Sequence, residues 1–396
     1  NLSGFVQELV RAKILPVPLN FGTLQDVFAY LNALPEKIVA VIDEYPYLKA
    51  MNDSATVDSI FQNIIDNRLV NIELILSGSH IGMMKDTLQE KNALYGRFAV
   101  TIKLNELNYL EAAKFYPDKP PYDKAAHYAV FGGSPFVNQA LQPAATIREN
   151  IISTILNPMS AVYLYANQLL LSDYSVKINA ERIFSVIGNG KKRYTEIEDK
   201  LDVKKTGNLS KQIKSLIDLE IIARNSPINK IGDNKKSTFE INDNLLRFYF
   251  TFIYKNASAL QVLGAEAFYD EYIAPALTDF ISRRFEGICR DYFSFQVRSG
   301  KMKGVRNIGS YYYDDPAHRK NGEFDVALEF ADGYEIYEAK YYAQPMPLDE
   351  IHREVRQVEG IKELTVKQIG FIAINGFVER EEPYFYLDGN NIFANE

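Results

Sequence analysis

Apolar positions along the chain change period several times, and each change predicts a different element. Leu24, Val27, Phe28 and Leu31 recur at helical spacing behind Thr23, a residue type suited to capping a helix. Ile38 to Ile42 is an unbroken apolar run rich in β-branched residues, the pattern of a strand buried in a parallel sheet. Val57, Ile60, Phe61, Ile64 and Ile65 return to helical spacing. Residues 73–76 then supply a second strand, ending in Ser77-Gly78-Ser79. Strand, helix and strand in this order predict a parallel α/β unit.

From about 108 to 157 the pattern is helical, broken by Pro117, Pro120, Pro121 and the turn Gly132-Gly133-Ser134-Pro135, and predicts a small helical lid. Between 170 and 255, apolar stripes on Ile183, Phe184 and Ile187, on Tyr194, Ile197 and Leu201, and on Leu209, Ile213, Leu216 and Ile217 predict three short helices. A strand at 221–223, a polar loop at 229–237 and a strand at 238–241 close this part as a winged helix-turn-helix. The remainder predicts a helix near 277–292, strands near 308–313, 323–330 and 334–342, a helix near 348–364 and a buried strand at 368–375. The expected boundaries are 1–107, 108–169, 170–255 and 256–396.

Composition adds little to this picture. Apolar residues make up 47% and charged residues 24%, as in ordinary globular proteins. No run approaches the roughly 20 apolar residues of a membrane helix, and no secretory signal opens the chain. The single cysteine, Cys289, has no internal partner for a disulfide and fits a reducing compartment. The expectation is a cytoplasmic protein without a membrane partner. The first residue is Asn1 rather than Met, which is expected of a truncated or processed piece.

The first predicted strand ends in Asp43-Glu44, which places two acids at the carboxyl edge of a parallel sheet, where open α/β sheets bind ligands. One acid there can hold magnesium, and its neighbour can orient a water for phosphoryl transfer, the pattern of a Walker B segment. Ser77 and Ser79 end the neighbouring strand where a polar sensor of a terminal phosphate would stand. Arg97, in Leu94-Tyr95-Gly96-Arg97, could bring positive charge to a phosphate. No glycine-rich loop followed by Lys-Ser or Lys-Thr occurs in the chain. The fold class expected is therefore α/β multidomain, with an incomplete P-loop NTPase core, and ATP binding by these residues alone should be impaired.

The segments IVAVIDEYPYL, LILSGSHIGMM, LYGR, FGGSPF and FEINDNLLRFYFTF together resemble a prokaryotic AAA-type, STAND-related ATPase family. Members of that family carry a C-terminal domain similar to PD-(D/E)xK nucleases, and a P-loop upstream of the residues matched here. The resemblance implies ATP with magnesium as cofactors, Asp43 as the magnesium ligand, Glu44 as catalytic base, Ser77 or Ser79 as sensor and Arg97 as a finger. It also implies assembly into a homo-oligomer or docking to a protein partner.

Two further surfaces carry candidate chemistry. From Asn189 to Glu240 there are 12 Lys and Arg against 8 Asp and Glu, a basic module in a chain of net charge −7. Its third helix should expose Asn208, Lys211, Gln212, Lys214 and Ser215, and its wing should carry Lys230, Lys235 and Lys236. These residue types can contact DNA, and equally form the solvated face of a docking module. Farther on, Asp332-Gly333 between alternating strands signals a hairpin. With those two residues as the loop, Ala327 faces Glu338 and Asp325 faces Lys340, so Asp325, Glu338 and Lys340 share one face. Phe324, Val326, Leu328 and Phe330 then pack on the other. Asp325 followed by Glu338-Ala339-Lys340, with Glu286 on the preceding helix, is the PD-(D/E)xK arrangement, in which two acids hold magnesium and a lysine steadies the scissile phosphate. A metal-dependent nuclease and a non-catalytic binding module both remain open from these residues.

Overall fold

The computed structural model describes all residues except 1, 52–53, 68, 80, 172–179, 189, 203–207, 316–319 and 395–396. His80, His318, Arg319 and the turn at 204–207 lie outside the described residues. The chain forms two compact units, Asn1–Leu104 and Asn105–Glu396.

In the first unit, strands β1 (Ile38–Ile42) and β2 (Ile72–Leu76) pair in parallel with Ile38 opposite Ile72 and Ile42 opposite Leu76. Helices Leu2–Arg11, Leu24–Asn32 and Ser54–Asp66 bring Val6, Leu9, Phe28, Leu31, Phe61 and Ile64 onto Ala40 and Ile72. Thr23 caps the second of these helices, and Asp26 completes the reciprocal capping box. The strand pair departs from the expected burial on both faces. Its even-numbered positions join the core, whereas Val39, Val41 and Ile75 point to the surface, the two valines being 59% and 55% exposed. Only one face of the pair is covered, so an apolar run that suits a fully buried strand here forms a half-covered one.

The second unit is built on one large core, with two smaller clusters on the other face of its C-terminal sheet. Tyr109 and Phe131 from the first helices, Phe184, Phe248 and Phe250 from the middle, and Phe285, Val326 and Leu328 from the C-terminal part all belong to it. In the middle, helices Ala180–Ile187, Tyr194–Leu201 and Asn208–Asp218 accompany a small antiparallel sheet, β3 (Lys192–Arg193, between the first two helices), β4 (Ile222–Asn225) and β5 (Thr238–Ile241), in the order β3-β5-β4. Leu209, Ile213 and Leu216 are buried on the third helix, as their spacing predicts.

The C-terminal sheet runs β10-β9-β8-β7-β6, from β6 (Asn307–Asp315), β7 (Lys320–Phe330), β8 (Gly333–Lys340), β9 (Val366–Ala373) and β10 (Phe385–Asp388). The first three form an antiparallel meander, and β8, β9 and β10 are parallel. Helix Ala274–Arg298 packs on one face through Phe285 and Phe293, and helix Leu348–Glu359 on the other through Val355 and Val358. Cys289 is fully buried in the long helix.

Two details of the β7–β8 hairpin correct the expected register. Phe330 pairs with Gly333, so the turn is Ala331-Asp332 and Ala327 faces Ile336, two positions from Glu338. Gly333 serves a close approach rather than the loop: a Cβ there would lie 2.6 Å from the Thr365 carbonyl oxygen. A two-residue shift leaves faces unchanged, so Glu338 and Lys340 stay together. Against β6, Ala327 pairs with Gly309 but Phe324 pairs with Tyr311, so β7 carries one extra residue at Asp325-Val326. This β-bulge turns Phe324 onto the Ala327 face, where it stacks on Tyr313 at 4.7 Å. Val326 and Leu328 remain on the other face.

Candidate functional site

The end of β1 is fixed by a buried polar network behind it. Tyr45 and Asp58 are buried, and the tyrosine hydroxyl donates to the Asp58 carboxylate at 2.6 Å. Lys49 Nζ lies 2.8 Å from Asp58, both side chains being about 95% buried, and Asn92 Nδ2 donates to the same carboxylate at 2.8 Å. The Tyr45 amide donates to the Ser77 carbonyl at 2.8 Å, which ties this turn to β2. Held from both sides, Glu44 adopts φ +51°, a left-handed conformation that costs a side-chain-bearing residue roughly 1–2 kcal/mol. Such outliers persist where the surroundings over-determine them, commonly at functional sites.

That turn presents the two acids at the carboxyl rim of the strand pair. Asp43 is exposed and Glu44 half-buried. Asp43 Oδ1 accepts from Ser77 Oγ at 2.5 Å and from the Glu44 amide at 3.0 Å. Among the described residues nothing bonds to its Oδ2. Glu44 Oε2 accepts from Ser79 Oγ at 3.1 Å and the Ser79 amide at 3.4 Å. The structure thus joins each acid to one of the two serines. Gly78 between them is obligatory, because a Cβ there would fall 2.4 Å from Pro46 Cδ and 2.7 Å from Pro46 Cγ. Arg97 is not brought to this rim by any contact. It makes a paired salt bridge to Asp66, with Nε and Nη2 at 2.8 and 2.9 Å, which holds the Asp66 carboxyl below its ordinary range.

The second cluster sits at the β7 bulge. Asp325 Oδ2 accepts from the Ala339 amide at 3.2 Å, and the Asp325 carbonyl accepts from Arg290 Nη1 at 2.7 Å. Lys340 Nζ lies 2.6 Å from Glu338 Oε1 and 3.8 Å from Glu354. Burial, then the charges of Glu338 and Glu286, push the Asp325 carboxyl well above its ordinary range. Burial also raises Glu338 to about 7 although Lys340 pulls it down, with Glu354 and Glu286 adding to the rise. Glu286 itself lies 3.5 Å from Lys191 and 4.0 Å from Arg290. Three acids, Glu338, Glu354 and Asp325, therefore act on Lys340, and Glu286 beside them is held by Lys191 and Arg290. The described residues nevertheless form no group of three or more His, Cys, Asp or Glu placed to hold a metal. Glu338 is bridged to Lys340 and Glu286 to two basic residues, so the expected set of Asp325, Glu338 and Glu286 is not assembled as a ligand shell. Arg290 and Glu354 complete the cluster and carry no sequence signal beyond their helical positions.

The basic surface of the middle segment is only partly free. Lys211 and Lys214 are exposed on helix Asn208–Asp218, and Gln212 is half-buried. Lys235 is exposed at the loop tip, but the loop base is docked on β6. Ile228 is buried in the sheet's core, Asn229 exchanges two hydrogen bonds with the Tyr312 backbone at 2.7 and 3.0 Å, and Lys236 Nζ stands 3.8 Å above the Tyr312 ring. Gly309 admits this contact, since a Cβ there would meet Ile228 at 2.6 Å. The expected free wing is in this part a structural contact. No described helix is long and apolar enough to cross a membrane.

A parallel strand pair with acids and serines at its carboxyl rim, and a mixed sheet with an acid–lysine cluster at a bulge, define the chain's two candidate centres. Comparison with known proteins bears on the second directly: residues 249–355, which include Glu286, Asp325, Glu338 and Lys340, match DUF234, a family of archaeal and bacterial proteins of unknown function. An uncharacterised protein of Methanocaldococcus jannaschii, MJECL04, is 28% identical over 272 residues, covering 68% of this chain and 60% of that protein's length. Among solved structures, the Walker-type ATPase Paby2304 of Pyrococcus abyssi aligns at 19% identity over 63% of this chain and 75% of its own, with a TM-score of 0.44. Protein VC1899 of Vibrio cholerae aligns at 9% identity over 94% and 93%, with a TM-score of 0.25.

Proposed function

We propose that the first unit supplies the hydrolysis side of a nucleoside-triphosphate site, and that the protein is an ATP-dependent switch. The observation that carries this is the pairing of Asp43 with Ser77 and of Glu44 with Ser79 at the rim of a parallel strand pair. Asp43 Oδ2 suits a magnesium ion, which characteristically takes one or two carboxylates and keeps several waters. Bound there, the ion would neutralise charge on the β- and γ-phosphates. Glu44, positioned by Ser79 and its left-handed backbone, would orient and deprotonate the attacking water. The phosphate cradle that such a site also needs, a glycine-rich loop with its lysine, is not among these 396 residues. Protein expressed from the complete open reading frame should bind ATP in a magnesium-dependent way. Asp43→Asn should weaken that binding only when magnesium is present; equal weakening with and without the ion would remove Asp43 from the role.

A second activity is favoured by the bulge at Asp325. If a divalent cation displaced the protons that burial favours on Asp325 and Glu338, these two carboxyls with Lys340 would make a metal-dependent nuclease. Contact with DNA would fall to Lys211, Gln212 and Lys214 of a winged-helix module, with Lys235 at the loop tip. Magnesium- or manganese-dependent cleavage of DNA that disappears in Lys340→Ala selects this activity. Stable capture of a protein partner with neither turnover nor cleavage would instead favour a docking module.

A further inference from the structure

Helix Ala274–Arg298 carries a glycine near its middle, Gly287, where no turn or positive φ requires one. Glycine inside a helix is unfavourable relative to alanine, and the packing of the chain itself does not demand it here, since a Cβ would meet only ordinary van der Waals contacts. The position opens on a cavity of about 160 Å³ bordered by Tyr128, Glu240, Arg284, Arg290 and Asp291, with Arg283 also on its wall. A Cβ at residue 287 would lie 3.9 Å from Arg284 Nη2 and 4.0 Å from Arg290 Nη2. Two guanidinium groups, three residues before and after the glycine, therefore converge on the point where it has no side chain.

Two acids, Glu240 and Asp291, share the wall with Arg283, Arg284 and Arg290; burial raises the Asp291 carboxyl and the charges of Arg290 and Arg284 pull it down, so cations exceed acids by one around the cavity. Arg284 is largely buried, and its Nε meets no hydrogen-bond acceptor among the described residues. A buried donor left unmatched is unfavourable, and an acceptor in the cavity would relieve it. Glu240 lies 3.5 Å from Arg284 Nη1 but is already held by Arg247 at 3.0 Å and by Asn225 at 2.5 Å. Arg290 is anchored through Nη1 to the Asp325 carbonyl, which leaves Nη2 over Gly287.

We propose that this cavity binds a tetrahedral oxyanion, a phosphate group gripped between Arg284 and Arg290 above Gly287. Guanidinium forks match phosphate oxygens in geometry and charge, and a notch without a side chain admits one oxygen close to the helix. The site lies apart from the Asp43–Glu44 rim but shares Arg290 with the cluster at the β7 bulge, where the same guanidinium donates to the Asp325 carbonyl.

Isothermal titration of the full chain with inorganic phosphate at fixed ionic strength, with chloride as control, tests the assignment. Saturable one-site binding is expected. It should weaken by about tenfold or more in Gly287→Ala, whose methyl takes the point of convergence and whose helix gains stability, and in Arg284→Gln. AMP and a 5′-phosphorylated dinucleotide distinguish the source. Tighter binding of either than of inorganic phosphate assigns the site to a phosphate carried on that molecule, and equal or weaker binding assigns it to the free ion. Absence of saturable binding by all three, or binding unchanged in both variants, would overturn the proposal.

Discussion

Glu338 makes the stability of the larger unit depend on pH in a direction opposite to that of most salt-bridged acids. Its side chain is 16% exposed, and its carboxyl is raised from 4.5 to about 7. The folded chain therefore holds this proton more tightly than the unfolded chain. Between pH 4.5 and 7 this group carries more of its proton in the native state, so its contribution to stability is highest below 4.5, falls as pH rises and levels off above 7. At about 1.4 kcal/mol per unit, the loss between pH 5 and pH 7 is about 2 kcal/mol. Buried His127, lowered to about 4 by its own burial, acts in the opposite sense below 6.5 and would mask the trend in a single curve. Comparison with Glu338→Gln cancels that contribution, because His127 is common to both proteins, and reports Glu338 together with Asp325, whose carboxyl the Glu338 charge helps to raise. Thermal unfolding at pH 5, 6 and 7 and constant ionic strength should show the difference moving in favour of the glutamine variant by about 2 kcal/mol, roughly 4–8 °C in Tm. Parallel pH curves, or a wild-type curve that rises more steeply than that of the variant, would show that Glu338 does not hold a proton at neutral pH.

Other consequences follow from single contacts. Lys49→Met strands the buried Asp58 carboxylate without its cation and should cost about 3–5 kcal/mol in urea unfolding followed by a probe in the first unit; a loss under 1 kcal/mol would mean the pair is solvated. Gly78→Ala drives a methyl into the Pro46 ring and should destabilise by about 1–3 kcal/mol in thermal melts, where a neutral effect would contradict the close approach. Lys340→Met removes the cation that lowers the Glu338 carboxyl, so its NMR titration should move upward from about 7; an unchanged midpoint would deny the 2.6 Å contact.

Local signals in the sequence carried the element pattern well. The apolar run at 38–42 and the Thr23 cap could be placed from spacing alone, because their determinants lie within a few residues. What spacing could not supply was the partner across a gap. The exposure of Val39 and Val41 depends on which face the helices cover. Gly333 carried a turn signal, yet its glycine answers to Thr365 on the neighbouring segment, and this displaced the expected hairpin. The bulge at Asp325 is fixed by β6, and the docked loop by Asn229 bonding to Tyr312, 83 residues away. The acids and serines of the first rim were readable because each terminates its own strand. Arg97 was not, since its pairing to Asp66 is set by a helix 31 residues earlier.

The claim on which the functional account stands is that Glu44 acts on the water that attacks a terminal phosphate. The direct measurement is kcat for ATP hydrolysis, alongside ATP affinity, in protein expressed from the complete open reading frame with and without Glu44→Gln. A fall in kcat of about 10²-fold or more with affinity preserved is the predicted result. Unchanged turnover in the variant would contradict it.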